Sequence, residues 1–131
     1  MVRAAGVVVS PSAKLGLALE TATDHVSVAV IGAGGMARSQ VEEAVGHGHT
    51  RRLSAMVTRA LGEAGVTAND LDWIASDLGP GSFTGVRVGL ATARALALVS
   101  GAQLLGASSL ASLAHAAGAK KSLVVPLVGA G

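Results

Sequence analysis

Cysteine and tyrosine are absent from this 131-residue chain, and it carries a single Trp and a single Phe. Without cysteine there is no disulfide framework and no thiolate chemistry, as in a cytoplasmic protein. With so few aromatics, the core must be built from small aliphatic side chains, and 18 glycines point to close backbone packing. Acidic residues run out at Asp77: all eight precede or occupy that position. The second half therefore cannot supply the carboxylates that metal-assisted or general-base catalysis needs. Positive charge is thin as well. The formal net charge is +2, and Arg51–Arg52 and Lys120–Lys121 are the only adjacent basic pairs, which is no footprint for strong nucleic-acid binding. The apolar stretch 4–9 near the start is too short for a secretory segment. The uncharged run 95–119 is long enough to span a bilayer, but glycine, glutamine, serine and histidine interrupt it, and a soluble helix, strand and helix explain it better.

Half of the residues are hydrophobic, enough for one core. "LGLALE" (15–20) and the alternating "HVSVAVIG" (25–32) predict a β-hairpin joined by "TATD". "GMARSQVEEAV" (35–45) reads as a third strand, although Glu42 and Glu43 could instead open a helix. Leu53, Met56, Val57, Ala60, Leu61 and Ala64 recur at helical spacing and predict a first helix over 50–64, stopped by Gly65. "LDWIASD" (71–77) is a fourth strand, followed by a glycine loop, a second helix over 85–100, a strand "QLLGAS" and a short helix to about Ala117. "SLVVPLVG" (122–129) begins another strand. This order predicts an α/β lobe with a mixed five-stranded sheet, hairpin first and parallel afterwards. Residues 1–14 are expected to be an extension, 15–119 the lobe, and 120–131 a linker with the first strand of a second lobe.

The glycine loop, "DLGPGSFTGVR" (77–87), invites a nucleotide and fits none of the usual loops. A phosphate-binding loop requires lysine after its last glycine, where this chain has Val86 and Arg87. Gly79, Gly81 and Gly85 miss the dinucleotide spacing, no acid follows to hold a ribose, and Ser82 is misplaced for a nucleophile elbow. What remains is a strand-to-helix turn capped by Ser82 or Thr84, with glycines at positive φ, whose free amides could touch an anion. Glu20 and Thr21 in the hairpin turn, with Gly79, Gly81, Ser82, Thr84 and Gly85, form the candidate nucleotide or anion loop. Glu20, Asp24 and Asp77 are the acids at strand ends. His47 and His49 have no third ligand near them, and His25 and His115 are isolated, so no metal site is expected.

Apart from Arg87, Thr92 and Arg94, the second helix is apolar or small all round. A surface helix should keep a polar face, so this one is either sandwiched within the domain or covered by a partner. Gly85, Gly89, Ala93 and Ala97 recur every fourth residue and would let another backbone come close. Arg87, Ala91, Arg94 and Leu98 lie along the neighbouring stripe.

"LALETATDHVSVAV", "HGHTRRLSAMVTRAL" and above all "GPGSFTGVR" resemble the TsaB family, formerly YeaZ, of the bacterial tRNA threonylcarbamoyladenosine synthesis machinery. The resemblance covers roughly 15–131. It implies an actin-like ATPase and sugar-kinase (ASKHA, ribonuclease H-like) lobe. The usual family pattern has Asp where this chain has Glu20, while the related transferase TsaD commonly has glutamate there. TsaD uses two metal-binding histidines four residues apart, and the matching positions here are Ser109 and Leu113. The resemblance thus implies a non-catalytic subunit that needs no cofactor of its own, ATP and a divalent metal belonging to its partners. It would pair with a TsaD-like transferase, support a TsaE-like ATPase, and meet tRNA only through the complex. In their absence it would form a homodimer. The docking surface would comprise Thr58 and Arg59 of the first helix and Arg87, Gly89, Leu90, Ala91, Ala93, Arg94 and Ala97 of the second. An autonomous ATPase or kinase-like protein is the alternative, and a metalloprotease, an old label for the superfamily, is more distant.

Overall fold

The computed structural model describes residues 15–44 and 49–116. Five strands form one mixed sheet in the order β3-β2-β1-β4-β5. β1 (Gly16–Glu20) and β2 (His25–Ile31) make the expected antiparallel hairpin, and β3 (Ala37–Ala44) adds antiparallel to β2. The "VEEA" segment is therefore strand, not helix. Its alternation explains why: Ser39 and Val41 point inward while Gln40 and Glu42 face solvent. β4 (Trp73–Asp77) pairs parallel with β1, and β5 (Gln103–Ala107) parallel with β4.

α1 (His49–Ala64) and α2 (Phe83–Ser100) contact each other as well as the sheet, so they share one face of it. Beneath them, Leu17, Leu19, Val26, Val28, Val30, Val41 and Ile74 from the strands meet Leu53, Met56, Val57 and Ala60 of α1 and Ala93 of α2. Burying each of the larger side chains is worth roughly 1.5–3 kcal/mol. A buried hydroxyl also ties the layers together, Ser39 Oγ donating to the Ala60 carbonyl at 2.7 Å. On the opposite face the indole of Trp73 lies over Gly16, where any Cβ would collide with the ring, within a smaller cluster with Ala29, Ile31 and Ala75.

α2 begins two residues earlier than the periodicity suggests. The Ser82 hydroxyl accepts from the Gly85 amide at 3.1 Å, so Ser82 is the cap and Thr84 is already helical. Gly101, at φ +74°, ends the helix. α3 (Ser109–Ala116) follows β5. The expected extension over 1–14, the linker and strand over 120–131, and His47 all lie outside the described residues.

Candidate functional site

Parallel pairing of β1 with β4 sets their C-terminal ends side by side, and there the glycine loop meets the hairpin turn. Asp77, buried, accepts through Oδ2 from the Thr21 and Ala22 amides at 2.9 and 3.0 Å. The Ala22 amide is shared, since Glu20 Oε1 also accepts from it at 2.8 Å. Ser82 N donates to the Ala22 carbonyl at 2.7 Å, and Ser109 N to the Gly79 carbonyl at 3.0 Å. Asp24 is exposed and stands apart from this network.

The glycines serve these contacts. A Cβ at Gly81 would strike the Ala22 carbonyl oxygen, and one at Gly85 the Thr21 carbonyl oxygen. At Gly89 it would strike Thr21 Oγ1 and crowd Ser76 Oγ at 3.2 Å. Gly79, at φ +82°, and Gly81, at φ +158°, match the expectation of positive φ; Gly85 is an ordinary helical residue chosen for the close approach of α2 to the end of β1. Of the loop amides on which an anion would draw, Ser82 N and Gly85 N are bonded within the chain.

An experiment separates side-chain from backbone crowding. Gly89→Ala and Gly85→Ala are each expected to destabilise the lobe by about 1–3 kcal/mol, partly offset by alanine's better helix propensity. Adding Thr21→Ala should restore Gly89→Ala, whose obstacle is a side chain, and leave Gly85→Ala unrestored, whose obstacle is a carbonyl. Urea denaturation of the four proteins reads this out.

Burial, then the hydrogen bond and charge of Asp77, raise the Glu20 carboxyl from the usual 4.5 to about 7, against the pull of the Ala22 amide. Two carboxylates converging on one amide cannot both be ionised cheaply, and a proton held by Glu20 can be donated to Asp77, whose Oδ1 is buried without a partner among the described residues. The folded state then binds the proton more tightly than the unfolded state. Stability should be highest below pH 4.5 on this account, fall as pH rises from 4.5 towards about 7, and level off above. Solvent at this half-buried site limits the change to roughly 1–2 kcal/mol. Glu20→Gln, whose amide can donate permanently to Asp77, should remove that slope in urea midpoints measured between pH 4.5 and 8.

Ser109 is buried and its hydroxyl has no partner among the described residues. A hydroxyl there and a leucine at 113, which has no donor atom, do not fit the histidine pair of a TsaD-type metal centre. Among the described residues no three His, Cys, Asp or Glu side chains come together.

The second candidate surface divides in two. The row of small residues on α2 does make a close approach, but to its own chain: Gly85, Gly89 and Ala93 are buried and Ala93 is 0% exposed. Gly89 and Ala93 are therefore corrected from docking residues to core residues, because the hairpin end at Thr21 and strand β4 occupy that side. Leu90 and Ala97 are half-buried. Arg87, Ala91 and Arg94 are exposed as expected, together with Leu98 at 86% and Val99 at 80%. On α1, Thr58 and Arg59 are exposed, and Arg59 pairs with Glu63 at 2.8 Å. Among the described residues α2 alone has the length and apolar content of a membrane span, yet it packs along one side on the sheet and carries two arginines on the other.

The sequence model of TsaD, tRNA N6-adenosine threonylcarbamoyltransferase, matches residues 37–131, more than half of the chain. The chain belongs to the TsaD and TsaB (YeaZ) family. Over 77% of its length it is 38% identical to the tRNA threonylcarbamoyladenosine biosynthesis protein TsaB of Haemophilus influenzae, covering 42% of that protein. It is equally similar to TsaB of Escherichia coli, covering 43% of it. A tRNA N6-adenosine threonylcarbamoyltransferase of Rhodospirillum rubrum is 39% identical over 72% of the chain, which covers 32% of that enzyme. The solved structure of YeaZ from Pseudomonas aeruginosa superposes with a TM-score of 0.74 at 39% identity, over 79% of this chain and 48% of that one. The chain thus spans less than half the length of these relatives, and its five-stranded sheet with flanking helices is an actin-like (ASKHA) lobe of the TsaB type.

Proposed function

We propose that the chain acts as a non-catalytic, TsaB-type scaffold in the synthesis of threonylcarbamoyladenosine in tRNA. In this role it docks a TsaD-type transferase through the outer face of α2 and the adjoining face of α1, and supports a TsaE-type ATPase at the junction. ATP and the divalent metal belong to those partners, tRNA is met through them, and the work is done in the cytoplasm, off any membrane. Without partners the same face pairs with a second copy.

The observation that carries this reading is the outer face of α2, where Leu98 and Val99 stand open to solvent beside Ala91 and two arginines. Large exposed aliphatics adjoining one another on a helix are the mark of a covered surface. The loop supports it from the other side, because its glycines and two of its amides serve the chain's own turn. Isothermal titration of the chain with the TsaD-type transferase of the same cell, alongside an ATP turnover assay, tests the reading. Binding at micromolar concentration or tighter, with turnover at the level of buffer, is expected. Failure to bind, together with turnover abolished by Asp77→Asn, would instead establish an autonomous ATPase.

A further inference from the structure

Charge on the docking face is one-sided. α2 contains Arg87 and Arg94 and no acid. Two turns apart, the two arginines share a stripe with Ala91 and Leu98. Elsewhere among the described residues, Arg52 and Arg59 are matched within the chain by Glu43 and Glu63, while Arg38 and Arg51, which lie outside this helix, form no ion pair with a described carboxylate. Among the described residues Arg94 has no such carboxylate, and Arg87 rests over the Phe83 ring at 5.1 Å with no described carboxylate beside it. The only acid on the described part of α1 beyond this stripe is Glu63, already taken by Arg59.

A second copy is a poor fit to this face. In an antiparallel self-contact centred anywhere from Arg87 to Ala95, some arginine lies within about one turn, roughly 5.4 Å along the axis, of an arginine of the copy. Centred between Leu90 and Ala91, Arg87 faces the copy's Arg94 twice over. Like charges held at an interface that excludes water are costly, and opposite ones select the partner. We propose that the occupant of this face is a helix of the transferase that presents carboxylates about one heptad apart around an apolar centre, and that the paired arginines act against self-pairing, so that the homodimer is the weaker complex. This rests on the docking reading above and adds the chemistry of the partner.

Reversing one charge gives opposite results for the two complexes. Arg94→Glu turns the self-contact into two pairings of Arg87 with the carboxylate introduced on the facing copy. Self-association measured by sedimentation should tighten at least about tenfold, while affinity for the transferase by isothermal titration should fall at least about tenfold. Arg87→Glu should show the same opposed pattern, and both residues are exposed, so the fold survives. Raising salt from about 0.1 to about 1 M, which shortens the screening length from about 10 to about 3 Å, should weaken the transferase complex. Loss of both affinities together, or transferase binding unchanged in Arg94→Glu and Arg87→Glu while Leu98→Asp abolishes it, overturns the charge proposal and leaves the docking reading intact. If Leu98→Asp also binds the transferase normally, the docking reading itself falls.

Discussion

Ala93→Glu is expected to remove a large share of the chain's stability. Ala93 is 0% exposed, on the side of α2 that packs against the sheet beside Gly89. Glutamate there must either bury an unpaired carboxylate or pry the helix from β1 and β4. Either route costs on the order of 4 kcal/mol or more. A domain's whole stability is only about 5–15 kcal/mol, so the loss takes roughly a quarter of it or more, and the urea midpoint followed by far-ultraviolet circular dichroism should fall in proportion. Ala91→Glu, two residues earlier and exposed, should retain the wild-type midpoint. The contrast between neighbouring alanines checks the rotation of α2 about its axis.

Leu98→Asp should have the opposite character, leaving the fold intact and removing the partner. At 86% exposure the leucine contributes little to the lobe, so the denaturation midpoint should move by no more than about 0.5 kcal/mol, as for other surface substitutions. In a complex the same side chain would be buried. Replacing it with an acid loses roughly 1.5–3 kcal/mol of apolar burial and adds the desolvation of a carboxylate. A fall in transferase affinity of about a hundredfold or more is the expected titration result. An unchanged affinity would place the partner elsewhere.

Strands β2 and β3 were legible from the sequence because they carry two-residue alternation, as in Val26, Val28 and Val30, the wholly buried β4 because it is a short apolar run, and α1 because Leu53, Met56, Val57 and Ala60 fall on one stripe. Termini were less so: the first turn of α2 depends on a hydrogen bond from Gly85 to Ser82, which periodicity does not register. The side on which α2 is buried was open in principle. Small residues every fourth position admit a close neighbour without saying whose backbone it is, and only the parallel pairing of β1 and β4 brings Thr21 under Gly85 and Gly89. That same pairing could have flagged Glu20 and Asp77 as neighbours, since both end parallel adjacent strands. The role of Asp77 in holding the Thr21 and Ala22 amides had no local signal in sequence. Nor did the burial of Ser109, whose amide meets the Gly79 carbonyl thirty residues away.

Because the chain has no cysteine, single thiols can report on α2 without background. Ala91→Cys, Ala93→Cys and Leu98→Cys, each labelled with a small maleimide in the free chain and in its complex with the TsaD-type transferase, test the division of this helix between core and partner. The expected result is rapid labelling of the Ala91→Cys and Leu98→Cys proteins when free, strong protection of both in the complex, and a thiol at position 93 that stays unreactive throughout. Rapid labelling at position 93 in the free chain, lost on adding the transferase, would contradict it and return the row of small residues to the interface.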